Sequence, residues 1–378
     1  MKPTEFTTRL ATEVLEPMKR DFVAKDEIID LLGVCLVGGE NLFILGPPGT
    51  AKSALVHQLA ARMEGRTFDY LLTRFTEPTE LFGPFDIRKL REGELETNTA
   101  GMLPEASLVF LDELLNANSA ILNSLLVALN ERVFRRGKET RQLAALLFVG
   151  ASNHLPEDDA LRALFDRFLL RVHCDNVPGE RLPEVLSAGW KLASARVAKS
   201  TVHFDDLRVA QSALSGVELA AVRQPYAELV HRVRHAGIPV NDRRAVKLQR
   251  VIAASALLSG RAEARLSDLW VVRHIWDTEE QQEILASLVN QTIDRQPAAA
   301  SGDHPRARSA DGPDAEALAR DLDAIAESLK NGAPPDVEKA YLRDRLGLLE
   351  GRCQWVKDTT RREWLIQRVG ELWPTLKT

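Results

Sequence analysis

The chain has 378 residues, 45% of them hydrophobic and 27% charged, with a formal net charge of −5. That length allows two or three domains around a sizeable core, and the slightly acidic balance supplies no global field for nucleic acid or an anionic membrane surface. The charged start, MKPTEFTTRLATEVLEPMKRDF, does not read as a signal peptide, and no apolar run is long enough to span a membrane, so a cytoplasmic location is expected.

Between residues 41 and about 175, short apolar runs alternate with helical patterns. The runs NLFILG, TFDYLLTR, SLVFLDE, LLFVGASN and FLLRVHC are apolar almost throughout, as strands buried on both faces of a parallel sheet are. SALVHQLAARM and NSAILNSLLVALNER carry apolar residues at helical spacing, with Ile121, Leu125 and Leu129 four apart. The alternation predicts an α/β fold. Between two of the runs lies DIRKLREGELETNTA, whose charged residues around Gly93 suggest a β-hairpin.

After about residue 183 the strand signals fade, and LPEVLSAGWKLASARV, AELVHRVRHAG and DRRAVKLQRVIAASALLSG read as helices. The expected organisation is an αβ core over 1–183, an all-α lid over 184–295, a flexible linker over 296–314 and a helical segment over 315–378. The linker assignment rests on its Pro, Gly, Ala and Ser content. Trp355, Trp364 and Trp373 are nine apart, a spacing that cannot form one stripe on a continuous helix. Cys35, Cys174 and Cys353 are distant from one another, without CxxC spacing, and read as reduced core thiols.

The most informative stretch is LGPPGTAKSAL. A strand, a Gly/Pro turn and a helix meet there, so backbone N–H groups and the positive end of the helix dipole converge on one point suited to a phosphate. Gly46, Pro47, Pro48, Gly49, Thr50, Ala51, Lys52, Ser53 and Ala54 form the candidate nucleotide loop. Lys52 would reach the β- and γ-phosphates, and the Ser53 hydroxyl would ligate Mg²⁺. Ala51 occupies a position where the phosphate-loop pattern has glycine. Alanine is expected to fit only with a negative φ, because its methyl group penalises the left-handed region.

SLVFLDE ends in Asp112 and Glu113 at what should be the carboxyl edge of the sheet, beside the phosphate loop. Asp112 would hold Mg²⁺ through water and Glu113 would polarise the attacking water. Phosphoryl transfer needs both, since it depends on positioning and on neutralising dispersed charge. LLFVGASN ends in Asn153, whose amide could orient the same water.

GPPGTAKS, VFLDE, GASNHLPEDDALRALFDRFLLRV and NDRRAVK, in this order, resemble the MoxR branch of the AAA+ ATPases, and LLTRFTEPTELFGPFDI brings the likeness closest to the RavA-like group. The resemblance covers about residues 5–290, and alanine before the phosphate-loop lysine is usual in that branch. It implies a P-loop NTPase αβα sandwich, a helical lid, a hexameric ring and ATP at subunit interfaces. By that resemblance Lys52 and Ser53 match Walker A, Asp112 and Glu113 Walker B, and Asn153 sensor 1. Arg167 matches the arginine finger, with Arg171 as an alternative, and Arg243 the lid sensor, with Arg244 as a competitor. Val23 falls where similar proteins line the adenine pocket. The cofactors implied are ATP or ADP and Mg²⁺. The implied partners are further copies of the chain and a protein with a von Willebrand factor A domain, which hydrolysis would remodel or activate. A nucleotide-gated scaffold with slow hydrolysis is the alternative. The tail departs from RavA-like proteins, which carry a longer C-terminal portion with a β-rich insertion.

Overall fold

The computed structural model describes residues 3–194, 200, 202–295, 303–307, 315–330, 336–353, 356 and 358–377. Its strands are β1 (Leu42–Leu45), β2 (Thr67–Leu71), β3 (Leu108–Asp112), β4 (Val133–Arg136), β5 (Glu139–Gln142), β6 (Leu147–Ser152) and β7 (Leu170–His173). Five form a parallel sheet in the order β2-β3-β6-β1-β7, and β4 and β5 form a separate antiparallel pair. All five apolar runs therefore become sheet strands. β1 and β6 are buried along their whole length. The edge strand β2 departs from the expected burial on both faces, because it has a neighbour on one side only and exposes Thr67, Asp69 and Leu71.

Helices cover both faces. Helix Asp26–Gly38 is buried from Ile28 to its end and packs against helix Asp242–Leu258. The N-terminal helical stretch Pro3–Asp21, π-helical over Leu10–Leu15, buries Phe6, Leu10, Val14 and Met18. Its Thr7 donates to Leu257 O at 2.9 Å. The lid is all-α as expected, with helices Ala220–His235, Asp242–Leu258 and Gln281–Ile293 around a 3₁₀ segment, Leu266–His274. Helix Phe204–Ala213, expected in the lid, packs on the N-terminal helix and on Asp26–Gly38. The residues leading into it bond back to the core: Glu64 N donates to Val202 O and Ser200 N to Arg62 O.

The region around Gly93 differs from the expected hairpin. Asp86 caps a short helix, Ile87–Arg91, by accepting from the N–H groups of Arg88 and Lys89, and a carboxylate at that position favours a helical first turn. Only one antiparallel bridge, Phe85 to Thr97, joins the flanks. The β-hairpin lies instead at β4–β5, closed by the two-residue turn Gly137-Lys138 with Gly137 at φ +61°. The two insertions support each other: Arg141 pairs with Glu96 at 2.6 Å, and the Arg136 guanidinium lies 3.8 Å from the Phe85 ring centroid.

The expected flexible linker is also corrected in part. Residues 303–307 are docked on the body of the protein, with His304 and Ala307 buried; the remainder of 296–314 lies outside the described residues. Helices Ala315–Lys330, Asp336–Cys353 and Thr359–Lys377 surround an apolar cluster of their own, including Leu318, Leu322, Leu346, Leu365 and Val369. Trp373 packs on that cluster and donates to Glu350 at 2.8 Å, while Trp364 is half exposed; Trp355 lies outside the described residues. No described helix is long and apolar enough to cross a membrane.

The sheet and the lid are joined by a buried ionic knot. Arg171, in β7, is fully buried; it pairs with Asp277 at 2.6 Å and donates to the carbonyls of Ile275 and Trp276. Burial, reinforced by the neighbouring Arg244 charge, pushes its guanidinium down to about 9. Arg244 reaches Asp277 at 3.4 Å and Ile275 O at 2.5 Å. One carboxylate thus compensates two desolvated cations.

Two consequences for stability follow. Asp277→Ala removes the only carboxylate near Arg244 among the described ion pairs and leaves Arg171 with the more distant Asp166 at 3.8 Å, and should cost about 3 kcal/mol in urea unfolding. Ala51 sits at φ +75°, ψ +20°, in the left-handed region rather than at the expected negative φ, and a methyl group there costs about 1–2 kcal/mol. Ala51→Gly relieves that strain at the expense of about 0.4–1 kcal/mol of unfolded-chain entropy. It should therefore leave stability unchanged or raise it by up to about 1.6 kcal/mol, whereas Ala51→Val should lower it by at least about 1 kcal/mol. A loss of stability in the glycine variant would contradict the strain argument.

Candidate nucleotide site

β1 lies between β6 and β7, and the chain leaving it must cross to the far edge of the sheet to form β2. Such a crossing opens a crevice at the carboxyl ends of the strands. The loop 46–51 sits in it. Gly46 N donates to Ser152 O at 3.0 Å, and a β-carbon on Gly46 would come within 2.2 Å of Cys174 O, so only glycine fits. Thr50 folds its hydroxyl onto Pro47 O at 2.9 Å, and its own carbonyl accepts from the Cys174 thiol at 3.1 Å. Pro47, Pro48 and Gly49 are exposed. The Ala51 strain turns the chain from this loop into helix Lys52–Arg62.

Lys52 is buried, and its ammonium donates to Gly46 O at 2.6 Å and Pro47 O at 3.0 Å. These neutral acceptors hold the charge over the loop, where phosphate oxygens would make stronger, charge-assisted bonds. The Ser53 hydroxyl donates to Asp112 Oδ2 at 2.8 Å, and Asp112 Oδ1 accepts from Glu113 N at 3.0 Å. A hydroxyl and a carboxylate are hard oxygen donors of the kind Mg²⁺ takes. The described residues contain no cluster of three or more acidic, His or Cys side chains that could hold a metal alone.

Glu113 is strained in the same sense as Ala51, at φ +50°, ψ +42°, between the end of β3 and the 3₁₀ turn Leu114–Asn116. Non-glycine residues in this region cost of order 1–3 kcal/mol and persist where surroundings hold them. Here the flanking carbonyls are held: Leu72 N donates to Asp112 O and Asn116 N to Glu113 O, both at 2.9 Å. Asn153 is exposed immediately after β6, the strand between those that end in Asp112 and Gly46. Val23 lies half-buried in the turn before helix Asp26–Gly38. Its neighbour Lys25 is buried and donates to the carbonyl of Asp175, one residue past the cysteine that holds Thr50. The proposed loop, metal, water-orienting and base-pocket residues thus share the carboxyl edge of the sheet.

The arginines do not join them. The Arg167 carbonyl accepts from Asn41 Nδ2 at 3.0 Å, and Asn41 directly precedes β1, at the amino edge. Arg243 is exposed and reaches Asn130 at 3.4 Å; two residues on, Arg132 donates to Asn41 Oδ1 at 2.6 Å. Asn41 and Gly46, which flank β1, are separated by about 16 Å along the strand. Arg167 and Arg243 therefore flank the end of the sheet opposite the phosphate loop of their own chain. The alternatives Arg171 and Arg244 are both consumed by the buried knot around Asp277, and neither can reach a neighbouring molecule. Lys25, bonded to Asp175 150 residues away, and Cys174, bonded to Thr50 124 residues away, carry no local signal that sequence reasoning could use.

The fold and its division into core and lid are shared with known proteins. The MoxR domain of the MoxR-vWA-beta-propeller ternary systems matches residues 8–212, and an AAA lid domain matches 219–289. The division between them falls after helix Phe204–Ala213, which packs with the core. Two uncharacterized proteins of Methanocaldococcus jannaschii are similar. One is 36% identical over 70% of this chain and 70% of its own length, the other 32% identical over 74% and 80%. Chaperone MoxR1 of Mycobacterium tuberculosis is 26% identical over 45% of each chain. Among solved structures, a candidate ATPase from Cytophaga hutchinsonii superposes with a TM-score of 0.64 at 19% identity, covering 76% of this chain and 95% of that one. With its five-stranded parallel sheet, phosphate-loop crevice and helical lid, the chain belongs to the MoxR family of AAA+ ATPases.

Proposed function

We propose that this protein is a ring-forming ATPase whose nucleotide is gripped by one subunit and completed by arginines of the next. The observation that carries this reading is the placement of Arg167 and Arg243 at the amino edge while Lys52, Ser53, Asp112, Glu113 and Asn153 share the carboxyl edge. In a head-to-tail ring the amino-edge arginines of one copy face the carboxyl edge of its neighbour, and a rotation that closes gives a ring rather than a filament. A hexamer is the stoichiometry the family resemblance implies.

Each residue then has a task. Lys52 leaves its two loop carbonyls for the β- and γ-phosphate oxygens. Mg²⁺ held by Ser53 and Asp112 would neutralise charge on the same oxygens. Glu113, fixed by its strained backbone, takes up or polarises the proton of the attacking water, and Asn153 orients that water. Arg167 supplies a planar cation to the γ-phosphate only across an assembled interface. Arg243 reads nucleotide state from the same side, and Val23 lines the adenine pocket.

The work done is proposed to be the remodelling or activation of a protein partner that contains a von Willebrand factor A domain. The family description of MoxR–vWA–beta-propeller systems supports this. The insertion at 84–98 supports a client contact, since Ile87, Leu90 and Leu95 expose 67%, 51% and 55% of their surface on a segment braced by the β4–β5 hairpin.

Glu113→Gln should lower ATP turnover by about 10²–10⁴-fold while ATP still binds, and Lys52→Ala should lose ATP binding itself. Turnover at the parent rate in the glutamine variant would remove the assignment. The shared site is tested by mixing two inactive variants, Lys52→Ala and Arg167→Ala. In randomly mixed rings, one junction in four pairs an intact loop with an intact arginine, so roughly a quarter of the parent activity should return. No recovery in rings shown to be mixed would exclude action across the interface.

A further inference from the structure

Residues 303–307, Asp-His-Pro-Arg-Ala, lie beyond both matched domains yet bind to both. On the core side, Arg306 Nε meets Asp30 Oδ2 at 2.9 Å and its Nη2 meets Asp26 Oδ2 at 3.0 Å. Those two carboxylates lie on the first two turns of helix Asp26–Gly38, which begins three residues after Val23. On the lid side, Arg273 donates to Arg306 O at 2.8 Å and to Ala307 O at 2.6 Å. Asp303 accepts from Arg265 and Ser267, each at 3.3 Å, and the His304 ring stacks on Trp270 at 4.7 Å. His304 Nδ1 also accepts the Arg306 backbone N–H at 3.1 Å, which preshapes the segment for both sets of partners.

This is more than surface packing. The segment presents a cation to core carboxylates and two carbonyls to a lid guanidinium, so the contacts of its Arg306 guanidinium and of its last two carbonyls all cross to a different element. Asp30 is nearly buried and otherwise pairs with Lys19 of the N-terminal helix at 2.7 Å. Removing Arg306 therefore withdraws one of the two cations that compensate a desolvated carboxylate, and unties the core from the 3₁₀ segment of the lid. Residues 308–314 alone separate this contact from the C-terminal helices, a reach of less than about 30 Å at full extension.

We infer that residues 303–307 form a clasp that restrains movement of the lid relative to the core and so slows nucleotide turnover. This rests on the ATPase reading above, in which hydrolysis is coupled to lid movement. An open clasp frees the segment Leu266–His274 and the start of helix Asp26–Gly38 together.

The test uses the full-length chain with Arg306→Glu and Arg306→Lys, read by amide hydrogen exchange and by ATP turnover at saturating nucleotide. Arg306→Glu should speed exchange in residues 266–274 by tenfold or more and raise kcat severalfold, with Arg306→Lys close to the parent in both. A folded Arg306→Glu protein whose kcat is unchanged or lower overturns the braking role. If that variant does not fold, His304→Ala, which removes the stack and keeps both ion pairs, should show the same two effects at smaller size, and their absence overturns the inference. Should Glu113→Gln hydrolyse ATP at the parent rate, the ATPase reading fails. Exchange then still decides the restraint, faster in Arg306→Glu supporting it and unchanged refuting it.

Discussion

The direction of one short strand governs this structure. β1 is four residues long and fully buried, with a parallel neighbour on each side. In a parallel sheet all carboxyl ends emerge on one edge, so whatever chemistry those ends carry is gathered there without any long-range signal. β1 delivers the phosphate loop, β3 the acidic pair and β6 the asparagine. The same polarity sends the turns that precede β1 and β7 to the other edge, and with them Asn41, Arg167 and the lid residue Arg243. A single molecule thereby carries the phosphate loop and these two arginines at opposite edges of its sheet.

The lid is not a loosely attached flap. Its contact with the sheet passes through a carboxylate shared by two buried guanidiniums, and its contact with helix Asp26–Gly38 passes through a long apolar face, through Lys247 to Glu40 at 2.7 Å, and through the Asp303–Ala307 segment. Buried ion pairs of this kind contribute little net stability but penalise any rearrangement that separates them. Any displacement that draws Asp277 away from Arg171 therefore carries that penalty. The strained backbones at Ala51 and Glu113 belong to the same economy, in that rigid surroundings hold two residues in a conformation they would not choose alone.

The sheet is legible in the sequence because four of its strands, β3, β6, β1 and β7, are apolar almost throughout, and the candidate site is legible because its residues stand at strand ends that apolar patterning marks. Asp112, Glu113 and Asn153 could be placed from the run before each of them. The errors have equally local causes. The Gly93 hairpin failed because a capping aspartate before IRKLR outweighs the turn signal of glycine, and the true hairpin at Gly137 was hidden in a run of arginines. Composition marked 303–307 as tether, yet a single arginine, a histidine and two backbone carbonyls suffice to dock it. Arg171 and Arg244 stand in the same two motifs as Arg167 and Arg243, as the fallback and the competitor to them. Only burial separates them, and burial depends on Asp277, more than thirty residues from Arg244 and over a hundred from Arg171.

One apolar cluster runs without interruption through the αβ core and the lid, while the C-terminal helices close on a second cluster of their own. Heat should therefore dismantle the chain in two calorimetric steps, the small bundle and the large body each melting as its own cooperative unit. The bundle could therefore be exchanged for another module without repacking the larger body to which it is attached.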